Sequence, residues 1–208
     1  MECAFILHAD GQLIVVDKPA GLPSVPGRAA GLQDCASTRV QQRYPDARVV
    51  HRLDMATSGL LLFARGLACQ RVLGRAFEQR EIGKTYEAWV QGRPAQRQGT
   101  IDLPLAADWP RRPLQKVDFE HGRPALTHWE LLEQQQGRAR LRLQPVTGRT
   151  HQLRVHLAAI GHPILGDGLY APPTAQGLAD RLCLHATGLE MKHPQTGLRV
   201  VFSSAPPF

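Results

Sequence analysis

Short apolar runs separated by glycine, proline and aspartate recur along the chain, a pattern typical of strands joined by tight turns. Three pairs of runs flank turn residues closely enough to predict hairpins, at Asp10 and Gly11, at Gly137, and across residues 194–197. The strand pairs predicted in this way are residues 5–8 with 13–16, residues 125–133 with 139–145, and residues 183–192 with 198–202.

Three other segments favour helices, over residues 34–44, 67–80 and 150–160. Residues 17–27 and 92–113 are punctuated by proline with glycine or arginine, so we predict that both are irregular. The candidate helix caps are Asp34, Thr147 and Thr150, and the expected buried stripe of the third helix is Leu153, Leu157 and Ile160.

Hairpins outnumber strand–helix–strand units, which favours an α+β fold built on a mostly antiparallel sheet with flanking helices. A chain of 208 residues can bury a substantial core, and we expect one domain over residues 1–208, with two lobes. Lys and Arg number 25 against 18 Asp and Glu, which gives a net charge of +7. This excess favours a polyanionic partner, although a generic basic surface would produce the same balance.

Membrane and secreted proteins do not fit the sequence. The N-terminus lacks the basic leader and apolar core of a signal peptide, and no apolar run approaches the roughly 18 residues of a membrane span. Cys3, Cys35, Cys69 and Cys183 show no CxxC spacing. We therefore expect reduced, mostly buried thiols in a cytoplasmic protein rather than a structural zinc site.

The candidate chemistry centres on Asp54, which follows His-Arg-Leu and precedes Met-Ala-Thr-Ser-Gly. The turn after Asp54 opens the apolar run of residues 60–63, so we expect the carboxylate at the mouth of a buried strand. Aspartate is seldom buried without a cation or hydrogen-bond donors, so Asp54 needs a partner. From residue chemistry alone, a structural capping role would explain Asp54 more simply. Arg52 lies two positions earlier and would share its face on a strand.

Two further segments offer partners for this carboxylate. A strand predicted over residues 84–90 places Tyr86 on one face with Ala88 and Val90, as either a core aromatic or a platform for an unstacked base. Arg154, in the third predicted helix, is either a solvated surface group or the cation that pairs with the carboxylate and keeps it ionised.

Neither a metal nor a nucleotide cofactor is expected. His151, His156 and His162 are close in sequence, but the first two are five residues apart rather than four, and no nearby acid completes a ligand set. The glycines near Gly21 and Gly27 match no phosphate-cradling pattern.

These segments together closely resemble the RluA family of pseudouridine synthases, with a likeness that begins at residues 17–22 and ends near residues 182–186. The resemblance implies that Asp54 is the essential aspartate, Tyr86 the active-site tyrosine and Arg154 the basic residue of the third motif. Residues 108–116 resemble the short founding branch of the family, which acts on 23S ribosomal RNA and on the anticodon stem-loop of certain tRNAs.

The family resemblance also implies a sheet with a central cleft, no appended N-terminal RNA-binding domain and a cofactor-free isomerisation of uridine. The target must leave its stack to expose the C1′–N1 bond, and Arg52 would fill the gap or grip a phosphate, unless it forms a surface salt bridge instead. Leu184 would help to keep the site dry. We expect a monomer that binds RNA stem-loops, and neither DNA nor a membrane.

Two other functions are less well supported. A non-catalytic RNA-binding or RNA-chaperone module would share the charge but would not require Asp54, Tyr86 and Arg154. A hydrolytic nucleosidase would need a second carboxylate, which the sequence does not offer.

Overall fold

The computed structural model describes residues 5–27 and 33–208 of the chain. Strands dominate, and all three predicted hairpins are present. The strands are β1 (Ile6–Ala9), β2 (Leu13–Lys18), β3 (Ala47–Val49), β4 (Ser58–Arg65), β5 (Gly83–Gln91), β6 (Gln98–Asp102), β7 (Leu105–Ala107), β8 (Gln115–Val117), β9 (Leu126–Gln135), β10 (Arg138–Pro145), β11 (Leu184–Lys192) and β12 (Arg199–Ser203). The α-helices are α1 (Ala36–Arg43), α2 (Gly66–Glu78), α3 (Gln152–Ala159) and α4 (Pro173–Gln176).

The chain divides into two compact units, and the first comprises Met1–Lys84 with His185–Pro207. Within it, β2 lies between β1 and β4 and is antiparallel to both, while β3 pairs with the far end of β4. The start of β4 pairs in parallel with β11, and β12 is antiparallel to β11. Nearly every residue of β2 and β4 is buried, as expected for strands covered on both faces.

One glycine makes the parallel pairing of β4 and β11 possible. Gly59 has a φ of 109°, and a Cβ at this position would lie 2.4 Å from the carbonyl oxygen of Ala186. A side chain at residue 59 would therefore force apart the two strands that meet just beyond Asp54.

The second unit comprises Thr85–Leu184 with Phe208. Its strands lie in the order β5, β10, β9, β6, and every neighbouring pair is antiparallel. A separate two-stranded hairpin, β7 with β8, packs against α3. The buried side chains of Leu105, Ala125 and Val155 form a small core there, against which Val117 and Tyr170 pack. The predicted α+β class, with a mixed and mostly antiparallel sheet, is confirmed.

The prediction that residues 92–113 are irregular was wrong, because β6 and β7 lie within this range. The strand β6 pairs with β9, and Ile101 is the one buried residue of the strand. A strand of this kind shows little of the apolar alternation by which strands are recognised in a sequence.

The helix caps also differ from prediction. The Sγ atom of Cys35 caps α1 by accepting a hydrogen bond from the Thr38 amide, while Asp34 forms a salt bridge with Arg39. The N-cap of α3 is His151, which makes no side-chain cap bond. The hydroxyl of Thr147, an expected cap, instead donates to Gln152 and accepts from the amide of Leu126.

Two further predictions were wrong. The strand β2 continues through Lys18 into the segment predicted to be a loop. Ile160, expected in the buried stripe of α3, is 36% exposed at the end of that helix.

Cys35, Cys69 and Cys183 are buried free thiols, as predicted, whereas Cys3 lies outside the described residues. Over residues 5–27 and 33–208, no helix has the length and apolar character that crossing a membrane requires.

Candidate active site

The main chain around Asp54 is held in place on both sides. Before it, the Ser24 hydroxyl donates to the carbonyl of Leu53 at 2.8 Å and accepts from the amide of Leu53 at 3.0 Å. After it, the carbonyl of Met55 accepts from the Gly21 amide at 2.8 Å. The carbonyl of Asp54 itself accepts from the Thr57 amide at 3.1 Å, which closes the turn into β4. The partly buried Asp54 side chain therefore projects from a backbone with little freedom to move.

Lys18 is a positioning residue that our sequence reasoning did not identify. Its side chain is fully buried, and Nζ donates to the carbonyls of Pro19 at 2.9 Å, Leu22 at 2.7 Å and Met55 at 3.1 Å. A buried ammonium needs acceptors of this kind, since it has lost its water. Lys18 thus ties the loop after β2 to the Asp54 turn. The signal available in the sequence was a lysine at the end of a strand that begins with four apolar residues.

Arg52 does not lie on a strand with Asp54, contrary to prediction. The strand β3 ends at Val49, and residues 50–57 are in no strand, so strand alternation does not place Arg52 on the face of Asp54. Arg52 is exposed, and no carboxylate in the described part of the chain lies within salt-bridge distance of it. The alternative of a surface salt bridge is therefore not supported for this arginine.

His51 anchors the segment that leads into the Asp54 turn. Its Nε2 accepts a hydrogen bond from the Leu62 amide at 2.9 Å, and its ring stacks on Phe77 with centroids 4.7 Å apart. Burial, and to a lesser extent the positive charge of Lys84, lowers the pKa of His51 to about 3. The imidazole is therefore neutral near neutral pH, with its proton on Nδ1.

A chain of hydrogen bonds runs through the start of β4. The Ser58 hydroxyl lies 2.7 Å from His185 Nδ1, and His185 Nε2 lies 3.0 Å from the Ser204 hydroxyl, which donates to Asp17 at 2.5 Å. Because the Ser204 proton goes to Asp17, Ser204 accepts from Nε2–H, and Ser58 donates to Nδ1. This order of donors places the proton of the buried His185 on Nε2. The hydrogen bond to His185 also holds Ser58, the first residue of β4, at the end of the Asp54 turn.

Two further predicted site residues belong to the second unit. Tyr86 is partly buried in β5, opposite Leu143 of β10, and shares a strand face with the buried Ala88 and Val90. Leu184 is 3% exposed at the start of β11.

Arg154 is not a solvated surface group. Only 5% of its side chain is exposed, and the guanidinium forms a two-pronged salt bridge to Asp167, with Nε–Oδ2 at 2.8 Å and Nη2–Oδ1 at 2.7 Å. Asp167, which is 1% exposed, also accepts from the amides of Leu169 and Tyr170. From the sequence we expected Asp54 as the anion and assigned no role to Asp167. Asp167 fixes the direction in which Arg154 presents its charge.

The loop between β7 and β8 carries an exposed aromatic side chain and two cations. We call residues 109–112 the arginine loop; it contains a short 3-10 helix, Trp109–Arg111. The side chain of Trp109 is 67% exposed, and the guanidinium carbon of Arg112 lies 3.6 Å from its ring centroid. Arg111 forms a salt bridge with the buried Asp108. Stacked rings and guanidinium groups of this kind bind bases and phosphates.

Each unit thus holds one preorganised charged group: Asp54 on a fixed turn in the first unit, and Arg154, oriented by Asp167, in the second. In residues 5–27 and 33–208, no group of three or more His, Cys, Asp or Glu side chains is arranged to hold a metal ion.

Comparison with known proteins gives consistent results. The sequence profile of the family described as RNA pseudouridylate synthase matches residues 12–159, a range that includes Asp54, Tyr86 and Arg154. The chain is 50% identical over 204 residues to the dual-specificity RNA pseudouridine synthase RluA of Escherichia coli K12, covering 98% of this chain and 93% of the relative. The protein of that name from Yersinia pestis is 52% identical over 198 residues, covering 95% and 96%.

Solved structures show the same relationship. Human RNA pseudouridylate synthase domain containing 1 superposes with a TM-score of 0.81 at 29% identity, covering 98% of this chain and 83% of the human chain. Human RNA pseudouridylate synthase domain containing 4 gives a TM-score of 0.77 at 25% identity, covering 97% and 88%.

Proposed function

The chain belongs to the RNA pseudouridylate synthase family, and from that premise we propose that it isomerises specific uridines in stem-loops of 23S ribosomal RNA and of transfer RNA. That it is an RNA pseudouridine synthase follows from identity of about half over nearly the whole chain to enzymes of that name. The choice of two RNA classes is supported by the dual specificity of those relatives. The enzyme is accordingly favoured over both alternatives, an RNA-binding module and a nucleosidase.

The observation that carries the mechanism is the clamped turn of Asp54. Isomerisation breaks the bond between ribose C1′ and uracil N1, turns the base and forms a bond from C1′ to C5. The proton lost from C5 is balanced by one gained at N1, so there is no redox change and no group is lost. Asp54 would act on the ribose as nucleophile or base, and either role requires an ionised carboxylate at a fixed position. The hydrogen bonds from Ser24 and Gly21, with those from Lys18 and Thr57, supply that fixed position.

The other site residues would handle the flipped nucleotide. Tyr86 would stack on the extruded uracil, and the exposed Arg52 would occupy the gap or bind a phosphate. Leu184 would help to exclude water. Arg154, oriented by Asp167, would keep Asp54 ionised, because a nearby cation favours the charged form of a carboxylate.

RNA binding would rest on the positive charge of the chain and on the arginine loop. Trp109 and Arg112 present a stacked ring and guanidinium to solvent, which suits a loop nucleotide of a folded RNA. We further propose a cytoplasmic monomer that needs no cofactor. A single catalytic domain over residues 1–208, with two lobes around a cleft, stays a prediction.

The central experiment is Asp54→Asn, assayed by formation of pseudouridine in RNA. We expect turnover to be abolished while RNA affinity stays within roughly tenfold, since the phosphate contacts remain. The matched control is Asp46→Asn, which removes a half-exposed carboxylate paired with Arg65 and should leave turnover unchanged. A folded Asp54→Asn variant that still forms pseudouridine would remove Asp54 from its assigned role.

The substrate assignment is tested separately, with an isolated tRNA anticodon stem-loop and a short hairpin of 23S ribosomal RNA, each containing one target uridine. We expect the wild-type enzyme to modify both. Modification of one alone would contradict dual specificity for this chain, and modification of neither would show that larger RNA structures are required.

A further inference from the structure

Tyr170 connects the arginine loop to the helix that carries Arg154. Its hydroxyl accepts a hydrogen bond from the amide of Gln115 at 2.9 Å, and it lies 2.5 Å from Nδ1 of His151. Gln115 is the first residue of β8, shortly after the arginine loop, and His151 is the N-cap of α3. One hydroxyl therefore joins the strand that follows the arginine loop to the start of the helix.

The same tyrosine contacts Arg154 in two ways. The guanidinium carbon of Arg154 lies 5.1 Å from the centroid of the Tyr170 ring, within the range of a cation–π interaction. The Tyr170 amide donates at 3.3 Å to Oδ1 of Asp167, the oxygen that also accepts from Nη2 of Arg154. Ring and backbone of Tyr170 thus both contribute to the orientation of the cation.

The backbone at His151 is strained at this junction. Its φ of 54° and ψ of 19° are left-handed, a conformation that residues other than glycine adopt only occasionally. Such strain persists where the surroundings over-determine it. The His151 ring meets the Tyr170 ring edge to face, with centroids 5.5 Å apart, in addition to the hydrogen bond. Tyr170 thus helps to hold His151 in this conformation.

The Tyr170 ring also belongs to the small core under the β7–β8 hairpin. It packs against a cluster formed by Leu105 of β7 and Val155 of α3, together with Val117 of β8. A displacement of the hairpin would therefore shift Tyr170, through its hydroxyl and through the core against which its ring packs. A shift of Tyr170 would in turn disturb Arg154, which its ring contacts.

We propose that Tyr170 is a positioning residue that couples the arginine loop to Arg154, so that RNA bound at the loop stabilises the arrangement in which Arg154 is aligned for the reaction. Tyr170 touches neither the RNA nor the reacting atoms in this scheme. The inference rests on the proposed roles of the loop in RNA binding and of Arg154 in catalysis.

The test is a double-mutant cycle between Tyr170→Phe and Arg112→Ala, with turnover measured on a stem-loop substrate. Tyr170→Phe keeps the ring against Arg154 and the core but removes the acceptor of Gln115 and the partner of His151. We expect kcat to fall about tenfold with a smaller change in KM. The matched control, Tyr44→Phe, removes a hydroxyl from a ring that packs against Arg65 and should leave both constants unchanged.

The cycle separates coupling from a merely structural role. In the wild-type background, Arg112→Ala should lower kcat as well as raise KM, because the loop assists alignment. In the Tyr170→Phe background the effect of Arg112→Ala on kcat should be at least about threefold smaller. Multiplicative effects of the two substitutions on kcat, or an unchanged kcat in Tyr170→Phe, would overturn the proposal.

Two provisions keep the result interpretable. If Tyr170→Phe does not fold, His151→Asn replaces it in the cycle, since asparagine tolerates the left-handed backbone but loses the ring contact. Failure of the coupling is also distinct from failure of the proposed function. A wild-type enzyme that forms pseudouridine with independent substitutions refutes only the coupling, whereas a wild-type enzyme inactive on every RNA refutes the function.

Discussion

Replacement of Arg154 by methionine tests the buried ion pair that it forms with Asp167 in the second unit. The side chains of Arg154 and Asp167 are 5% and 1% exposed, so no solvent takes the place of the lost cation. Asp167 would keep its bonds from the Leu169 and Tyr170 amides but would carry an uncompensated buried charge. Removal of one partner of such a pair costs about 3–5 kcal/mol, and we expect that loss of unfolding free energy in urea denaturation.

The loss should depend on pH in a defined direction. A buried carboxylate without its cation favours the protonated form, so the folded variant binds a proton more readily than the unfolded chain does. The destabilisation of Arg154→Met should therefore be smaller at about pH 5 than at about pH 8. As a matched control, Arg140→Met removes the partner of Glu87 where the two side chains are 29% and 16% exposed, and it should cost about 1 kcal/mol or less.

A double variant distinguishes stability from chemistry. Arg154→Met with Asp167→Asn removes both charges and keeps an acceptor for the two amides, so most of the lost stability should return. If Arg154 has its proposed role, turnover should stay low, because the cation proposed to favour the charged form of Asp54 is gone. Recovery of turnover together with stability would show that Arg154 has no role in the reaction. An Arg154→Met enzyme with wild-type stability and turnover would refute the argument from burial altogether.

The remaining predictions concern the Asp54 turn. Lys18→Met leaves the three carbonyls bound by Nζ without that donor. We therefore expect kcat to fall more than KM changes, and the unfolding free energy to drop by about 2 kcal/mol or more. A folded variant with unchanged kcat would contradict this role. For His51, the pKa of about 3 lies below its ordinary 6.5, so the unfolded chain binds the proton more readily between these values and stability should fall as pH drops below 6.5. His51→Gln should reduce that slope in urea denaturation at several pH values, and an unchanged slope would be the contrary result.

Much of the fold was accessible from the sequence because its hairpins are local. The strands β9 and β10 surround a glycine turn, and each carries enough alternating apolar residues to be recognised alone. The polar edge strand β6 escaped recognition, since its partner β9 lies more than twenty positions away and supplies the burial that its own residues do not show. The parallel contact of β4 with β11 is a long-range pairing of the same kind.

The same distinction, between local patterns and long-range contacts, applies to the candidate site. Asp54, Tyr86 and Arg154 could be proposed as site residues because each lies in a motif that can be matched residue by residue. Their supporting groups were not found, because a salt bridge such as Arg154 to Asp167 depends on a loop bringing residue 167 back to a helix. The periodic pattern of apolar residues cannot predict a contact of this kind.

Lys18 shows why these supporting groups matter for function. A lysine at a strand end is ordinarily a surface charge, and only the carbonyls of Pro19, Leu22 and Met55, brought together by two separate loops, make it a buried clamp. The main chain around Asp54 is thus held by side chains that lie outside its own motif, those of Lys18 and Ser24. A catalytic carboxylate can be recognised from its motif, but the geometry that makes it reactive follows from contacts that form only in the folded chain.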